Sequence, residues 1–256
     1  MNTDMDKIKS TWEDHYLVSF YEVDAKNRVF LPSLWKYMQE TAWNHAHHIG
    51  IGYSDLARND YFWVLSRLAI EMKEYPGWGD KIQVRTWLLG NSRLFALRDF
   101  SVVKEDGRVI GGGKSAWVVL DLKNRKPQRI EPFLQGLNYR PDQHGVKTNL
   151  DKLPAPSAPS EEMSFTVRYG DLDMHQHVNN ARYIEWVLDS YSLEMNQTHQ
   201  ITTFEINFLA ESSCDDELSV QTESQKDPSP TFLHKIVRKE DGRELCRARV
   251  TWKRIG

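Results

Sequence analysis

Cysteine is scarce: Cys214 and Cys246 are the only two in 256 residues. Two thiols cannot build a disulfide framework, so the chain must rely on a packed core. Long apolar runs are missing too. None approaches the roughly 20 residues of a membrane-spanning helix, and the opening stretch MNTDMDKIKSTWEDH is too polar for a signal peptide. An excess of one charge is also lacking. The formal net charge is −3, which gives no global pull toward nucleic acid and none toward membrane insertion. There is no G-x-S-x-G elbow, which argues against a serine hydrolase of that type. Gly50-Ile51-Gly52 lacks a third glycine and follows a helical stretch, so it is no nucleotide loop. The expectation is a soluble cytoplasmic protein, in which the sequon Asn196-Gln197-Thr198 is a chance match.

What is present is apolar mass and repetition. Hydrophobic residues make up 40% of the chain and nine are tryptophan, enough for one large core or two small ones. Lys104-Glu105-Asp106-Gly107-Arg108 returns 135 positions later as Lys239-Glu240-Asp241-Gly242-Arg243. Trp117 and Trp252 keep that spacing, as do Asp80 and Asp215. Asp-Gly between apolar runs marks a hairpin turn, because glycine tolerates positive φ. Strand-like runs flank both copies: Phe95 to Val103 and Ala116 to Leu120 in the first, Phe232 to Val237 and Ala248 to Trp252 in the second.

Each half also opens with a helix. In the first, Leu34, Met38, Thr41, His45 and Ile49 form an inner stripe, with Pro32 near the first turn and Gly50 and Gly52 at the end. In the second, Tyr183, Ile184, Val187, Leu188 and Tyr191 share a face. Residues 140–161 carry Pro141, Pro154, Pro156 and Pro159 and read as a linker. The chain therefore divides into residues 1–139, the linker 140–161, and residues 162–256. Each half reads as strand, helix, then antiparallel strands, an α+β unit with a helix covering a curved sheet. On the last strand Cys246, Ala248, Val250 and Trp252 face one way. Arg247, Arg249, Thr251 and Lys253 face the other as a basic stripe, which reads first as a solvated face and also offers itself to an acidic partner.

The densest chemistry lies between Arg168 and Trp186. Asp173, His175, His177, Asn179 and Asn180 fall within eight residues, just ahead of the second helix. Asn179 or Asn180 can cap that helix. Its free backbone N–H groups then sit beside Asp173 and His177, where a carbonyl or oxyanion would be polarised. Elsewhere, His45 and His48 share a helix face with no acid or cysteine placed to complete a metal site, so they read as inner or capping side chains. Asp171 reads as a turn residue.

The stretch DLDxxxHVNNARYxEW resembles hot-dog-fold thioesterases, and the duplication resembles one branch of them, the acyl-acyl-carrier-protein thioesterases of plants and bacteria. The likeness runs from Tyr21 to Trp252. It includes Trp63-Val64-Leu65-Ser66-Arg67, Tyr75-Pro76, Gly79-Asp80, Thr86-Trp87 and Ile206-Asn207-Phe208-Leu209-Ala210-Glu211. The resemblance implies a tandem hot-dog fold. It implies hydrolysis of the thioester between a fatty acyl chain and the phosphopantetheine arm of an acidic acyl carrier protein, with no cofactor. Its catalytic set falls on Asp173, His175, His177 and Glu211. Position 175 departs from the family's pattern, with His175 where an asparagine is usual. Ser212 stands where some relatives carry cysteine and is given no role. Sliding Asp24 onto Asp173 puts Lys26 and Arg28 opposite His175 and His177, so the first half looks chemically inert and available to the acyl chain, with Met38, Phe62 and Trp63 as candidate contacts.

Thioester hydrolysis needs an activated water, a polarised carbonyl and a thiol leaving group. Glu211 or Asp173 can serve as general base, with His177 binding the water or the base. Asp173 can instead orient His175 or His177. Attack by water and attack through a covalent anhydride both remain open. Coenzyme A as carrier, a non-catalytic acyl-binding module and a dehydratase are the competing readings. A homodimer is also open, although a duplicated chain can satisfy internally the pairing that single hot dogs reach as dimers.

Overall fold

The structure is a computed structural model and describes residues 10–174 and 176–255. His175 therefore lies outside the described residues. The first half contains β1 (Thr11–Leu17), α1 (Leu31–His48), a short α2 (Tyr53–Ala57), β2 (Tyr61–Met72), β3 (Lys81–Ser92), β4 (Phe95–Lys104) and β5 (Val109–Asp121). The second repeats the plan with β6 (Glu161–Thr166), α3 (Asn180–Asp189), a short α4 (Leu193–Thr198), β7 (His199–Phe208), β8 (Glu217–Gln225), β9 (Thr231–Arg238) and β10 (Glu244–Arg254).

All ten strands join one antiparallel sheet in the order β1-β3-β4-β5-β2-β7-β10-β9-β8-β6. Read from either edge, the same sequence of repeat strands meets at the centre. The junction is β2 against β7, from Arg67 opposite Asn207 to Glu71 opposite Thr203. This is the tandem hot-dog that the resemblance implies, with the two sheets fused into one.

The hairpin turns sit where Asp-Gly recurs. Gly107 and Gly242 take φ of 86° and 69°. The Asp106 and Asp241 carboxylates accept the amides of Arg108 and Arg243. The second turn is one residue longer, since it closes on Arg238 and Arg243 whereas the first closes on Lys104 and Arg108. The expected Asp80–Asp215 match also needs correction by one residue. The Gly77 amide donates to Asp80 Oδ2, and the Ser213 amide donates to Asp216 Oδ2. Asp216 is thus the counterpart of Asp80, and Asp215, with φ 69°, that of Gly79, with φ 83°.

Helix α1 buries Leu34, Met38, Thr41, His45 and, at its end, Ile49 against the inner face of the sheet, as the periodicity requires. His45 has an inner role: its Nδ1 lies 2.8 Å from Arg98 Nη1 in the core. Helix α3 is shorter than α1, ten residues against eighteen. The chain breaks at Ser190 to Ser192, where the Ser192 side chain accepts the Met195 amide and starts α4. Tyr191 therefore lies past the end of α3, yet still turns inward to bond His234. The two helices touch, with Lys36 of α1 paired to Glu185 of α3 at 3.1 Å.

Residues 134–160 have no regular element, as the prolines suggest, but they are not a loose tether. They form a strap across the outer face of the sheet, meeting the strands in spatial order. The Gly145 amide donates to Asp99 of β4, Lys114 of β5 donates to the Thr148 carbonyl, and the Thr148 amide donates to Glu71 of β2. Arg67 of β2 reaches the Leu150 carbonyl, Asn207 of β7 accepts the Leu153 amide, and Arg247 of β10 donates to the Leu153 carbonyl. Glu223 of β8 takes the Ser157 and Ala158 amides. Backbone groups that no ladder satisfies thus find the polar side chains of the outer face. Contact is close: a Cβ on Gly145 would lie 1.9 Å from the Phe100 carbonyl oxygen.

The basic stripe on β10 is not an open cationic surface. Arg249 makes two bonds to Glu205, and Arg247 is held by Glu244 and the strap. Of the three cations only Lys253 is exposed.

Candidate active site

The site is built on a loop that the sequence folds tightly before α3. The Arg168 amide donates to Asp171 Oδ2, closing a single helical turn at Tyr169–Asp171. Asp171 is the turn residue its position suggests. The Asp173 amide donates to the His177 carbonyl at 2.8 Å, and Asp173 Oδ1 accepts the His177 amide at 3.3 Å. Gln176 turns the chain with φ 64°. Asn179 is the residue that caps α3, its Oδ1 accepting the Ala181 amide at 2.9 Å, and Asn180 is the first helical residue. His177 is thereby fixed two residues ahead of the positive end of a helix.

Glu211 comes from the segment after β7. It is anchored by its neighbour Ser212, which is buried and bonds Tyr183 of α3 at 2.8 Å. Burial raises the Tyr183 phenol well above its ordinary value, so it stays a neutral partner. The anchor brings Glu211 Oε2 to 3.5 Å from His177 Nε2. Both side chains remain partly exposed, so the pair is open to a substrate. On the other side of Glu211 stands a first-half residue. Arg125 Nη1 lies 3.5 Å from Glu211 Oε1, with its guanidinium 5.2 Å over the Phe62 ring.

The first half keeps the same loop without its chemistry. The Asp24 amide donates to the Arg28 carbonyl, Asp24 Oδ1 accepts the Arg28 amide, and Asn27 takes φ 57°. Arg28 thus replaces His177, as the alignment of Asp24 on Asp173 anticipates. Phe30 replaces the capping asparagine and makes no side-chain cap. Continuing from the Asp80–Asp216 match, Tyr75 stands where Glu211 stands in the second half. Arg28 donates to the carbonyls of Asn196 and His199, and Tyr75 to that of Ile201. The first-half counterpart of the site is therefore a clasp that ties this half to α4 and β7.

The candidate acyl contacts do not converge. Met38 is fully buried in the main core under α1. Trp63 donates its indole N–H to the Ile51 carbonyl and packs on a smaller cluster beside Leu56 and Ile130. Phe62, on the opposite face of β2 by strand alternation, lies under Arg125 at the Glu211 edge. Of the three, only Phe62 is near the catalytic candidates.

Residues 9–135 match the model of the acyl-ACP thioesterase N-terminal domain, and residues 155–254 that of the acyl-ACP thioesterase C-terminal domain. An acyl-ACP thioesterase from Bacteroides thetaiotaomicron has 32% sequence identity and a TM-score of 0.86, over 95% of this chain and 98% of that one. The chain belongs to the acyl-ACP thioesterase family. The 12:0-ACP thioesterase from Umbellularia californica is similar in structure, with a TM-score of 0.84 at 25% identity over 97% of this chain and 95% of that one. Among curated relatives, the chloroplastic acyl-[acyl-carrier-protein] hydrolase FATB2 of Cuphea viscosissima is 28% identical over 94% of this chain. The chain spans 62% of that relative's length.

Within the family's fold, the structure brings the motif residues Asp173, His177 and Asn179 together with Glu211, and adds contacts from Arg125 and the Tyr183–Ser212 pair that the motif does not indicate. Tyr183 is visible only as a helix-face residue and Ser212 only as the neighbour of Glu211. Arg125 lies 86 residues from Glu211 in a charged turn, with no local signal of the contact.

Proposed function

We propose that this protein hydrolyses the thioester between a fatty acyl chain and acyl carrier protein, releasing free fatty acid and the carrier's thiol. The observation that carries the reading is the His177–Glu211 pair at 3.5 Å beside the Asn179-capped start of α3, in a chain of this family. Water adds to the acyl carbon while a carboxylate takes its proton. The carbon–sulfur bond then breaks, and the leaving thiolate regains a proton. Glu211 is favoured as the base, because Asp173 spends one oxygen holding the His177 amide. Asp173 then keeps the loop in shape. His177 orients the water, and the helix start near Asn180 stabilises the carbonyl oxygen as it gains charge.

In this reading residues 162–256 carry the chemistry and residues 1–139 bind the acyl chain. Met38 sets how deep the chain reaches, and Phe62 contacts its thioester end. The partner is an acidic carrier protein, and the paired arginines of β10 argue for its docking elsewhere than on that stripe. The two free cysteines, exposed Cys214 and buried Cys246, fit a reducing compartment such as the cytoplasm. Among the described residues no helix is long and apolar enough to cross a membrane. The fused sheet supports a functional single chain over an obligate homodimer.

The test is thiol release from acyl carrier protein thioesters by the wild type, Glu211→Gln and His177→Ala. General-base and positioning losses of ~10²–10⁴-fold are expected in both folded variants. Near-normal turnover in either would remove it from the catalytic set.

A further inference from the structure

Among the described residues, Arg125 is the one first-half cation paired with a catalytic candidate. The turn that carries it is tightly made. Asp121 Oδ1 accepts the amides of Lys123 and Asn124, the Arg125 amide returns to the Asp121 carbonyl, and the Asp121 amide donates to the Lys126 carbonyl. Pro127 bridges Leu120 beyond it. This closure holds Arg125 at φ 56°, a conformation that costs a non-glycine residue and persists only where its surroundings impose it. The result is a guanidinium 5.2 Å over the Phe62 ring with its Nη1 3.5 Å from Glu211 Oε1, while the other Glu211 oxygen lies 3.5 Å from His177.

Among the described residues, the Glu211 side chain is held by the His177 and Arg125 contacts alone. The Glu211 backbone is anchored through Ser212, but its side chain is 47% exposed and has several rotatable bonds. A solvated carboxylate of this kind samples many rotamers, and a base must lie within hydrogen-bond reach of its water. A surface ion pair contributes little to stability. It can still select one rotamer, and a misplacement of about 1 Å at a reacting group costs on the order of a hundredfold.

We infer that Arg125 is a positioning residue of the active site, supplied across the repeat junction by the first half to hold the Glu211 carboxylate toward His177. The inference rests on the thioesterase reading above. It also gives the first half a part in the chemistry besides binding the acyl chain.

The experiment compares wild type, Arg125→Gln, Arg125→Lys, Glu211→Gln and the Arg125→Gln/Glu211→Gln double variant on one fatty acyl carrier protein, with thermal unfolding as a folding check. Arg125→Gln should lower kcat roughly tenfold to a hundredfold with KM within about twofold. Arg125→Lys should recover part of that loss by restoring the charge. In the Glu211→Gln background Arg125→Gln should cost nothing further, because the group it positions is gone. A rise in KM without loss of kcat would make Arg125 a contact for the carrier or its phosphate arm, and would overturn the proposal. Unchanged kinetics, or full additivity with Glu211→Gln, would overturn it too while leaving the reaction assignment intact. A wild type that releases no thiol would remove both.

Discussion

Replacing Asp99 with asparagine should change how stability depends on pH. Asp99 lies on β4 beneath the strap and is fully buried. Its Oδ2 accepts the Gly145 amide at 3.0 Å, while its Oδ1 has no hydrogen-bond partner among the described residues. Burial pushes its pKa up to about 6 from an ordinary 3.8, against the opposing pull of the Gly145 amide, Lys114 and His144. A carboxyl whose folded pKa lies above its unfolded one binds its proton more tightly when folded. Its stabilising contribution is complete below about pH 4 and is lost as pH rises through about 6. The shift of about two units corresponds to about 3 kcal/mol. Asparagine cannot ionise, so its own cost, including an amide N–H with no partner, is the same at every pH. Urea unfolding of wild type and Asp99→Asn at pH 4, 5, 6 and 7 isolates the titration. Wild type should lose up to about 3 kcal/mol relative to the variant across that range, or roughly 2–4 °C of Tm per kcal/mol for a chain of this size. A constant difference, or a wild type that gains on the variant as pH rises, would show that Lys114 and His144 outweigh burial.

Three further outcomes follow from the same structure. Asn179→Ala removes the α3 cap and should cost about 1 kcal/mol in chemical denaturation, with turnover lowered as well because the same turn sets His177. Trimming Met38 to alanine leaves a cavity under α1. It should cost about 2–5 kcal/mol of stability and shift the preferred acyl chain longer in a substrate-length profile, whereas a stability change alone would reduce Met38 to packing. Small thiol-alkylating reagents should leave activity intact, since Cys246 is buried with its thiol pKa pushed far up and no cysteine is in the proposed mechanism; rapid inactivation prevented by substrate would expose a missed nucleophile.

Local features of this fold are plain in the sequence. Turn chemistry at Asp106-Gly107 and Asp241-Gly242, the α1 stripe and the asparagine ahead of α3 each depend on neighbours within a few residues. What is hidden is what depends on distant pairing. Nothing local to β2 or β7 announces that Arg67 will meet Asn207 and fuse two sheets. The strap reads as a bare linker because its partners Asp99, Glu71, Asn207 and Glu223 are scattered over four strands. The repeat spacing also drifts, from 149 positions at Asp24 and Asp173 to 136 at Asp80 and Asp216 and 135 at the hairpins. A fixed offset therefore pairs Asp80 with the wrong aspartate. The motif around His177 is legible because one turn assembles it, whereas Arg125 is seen only once the halves are joined.

The most direct test of the account is the rate of thiol release from one fatty acyl chain carried by acyl carrier protein or by coenzyme A, with Glu211→Gln as control. The account predicts hydrolysis of both thioesters by the wild type, a higher kcat/KM for the carrier-protein form, and loss of both activities in the variant. Equal or faster turnover of the coenzyme A thioester would contradict the assigned carrier. Activity surviving in a folded Glu211→Gln protein would contradict the site itself.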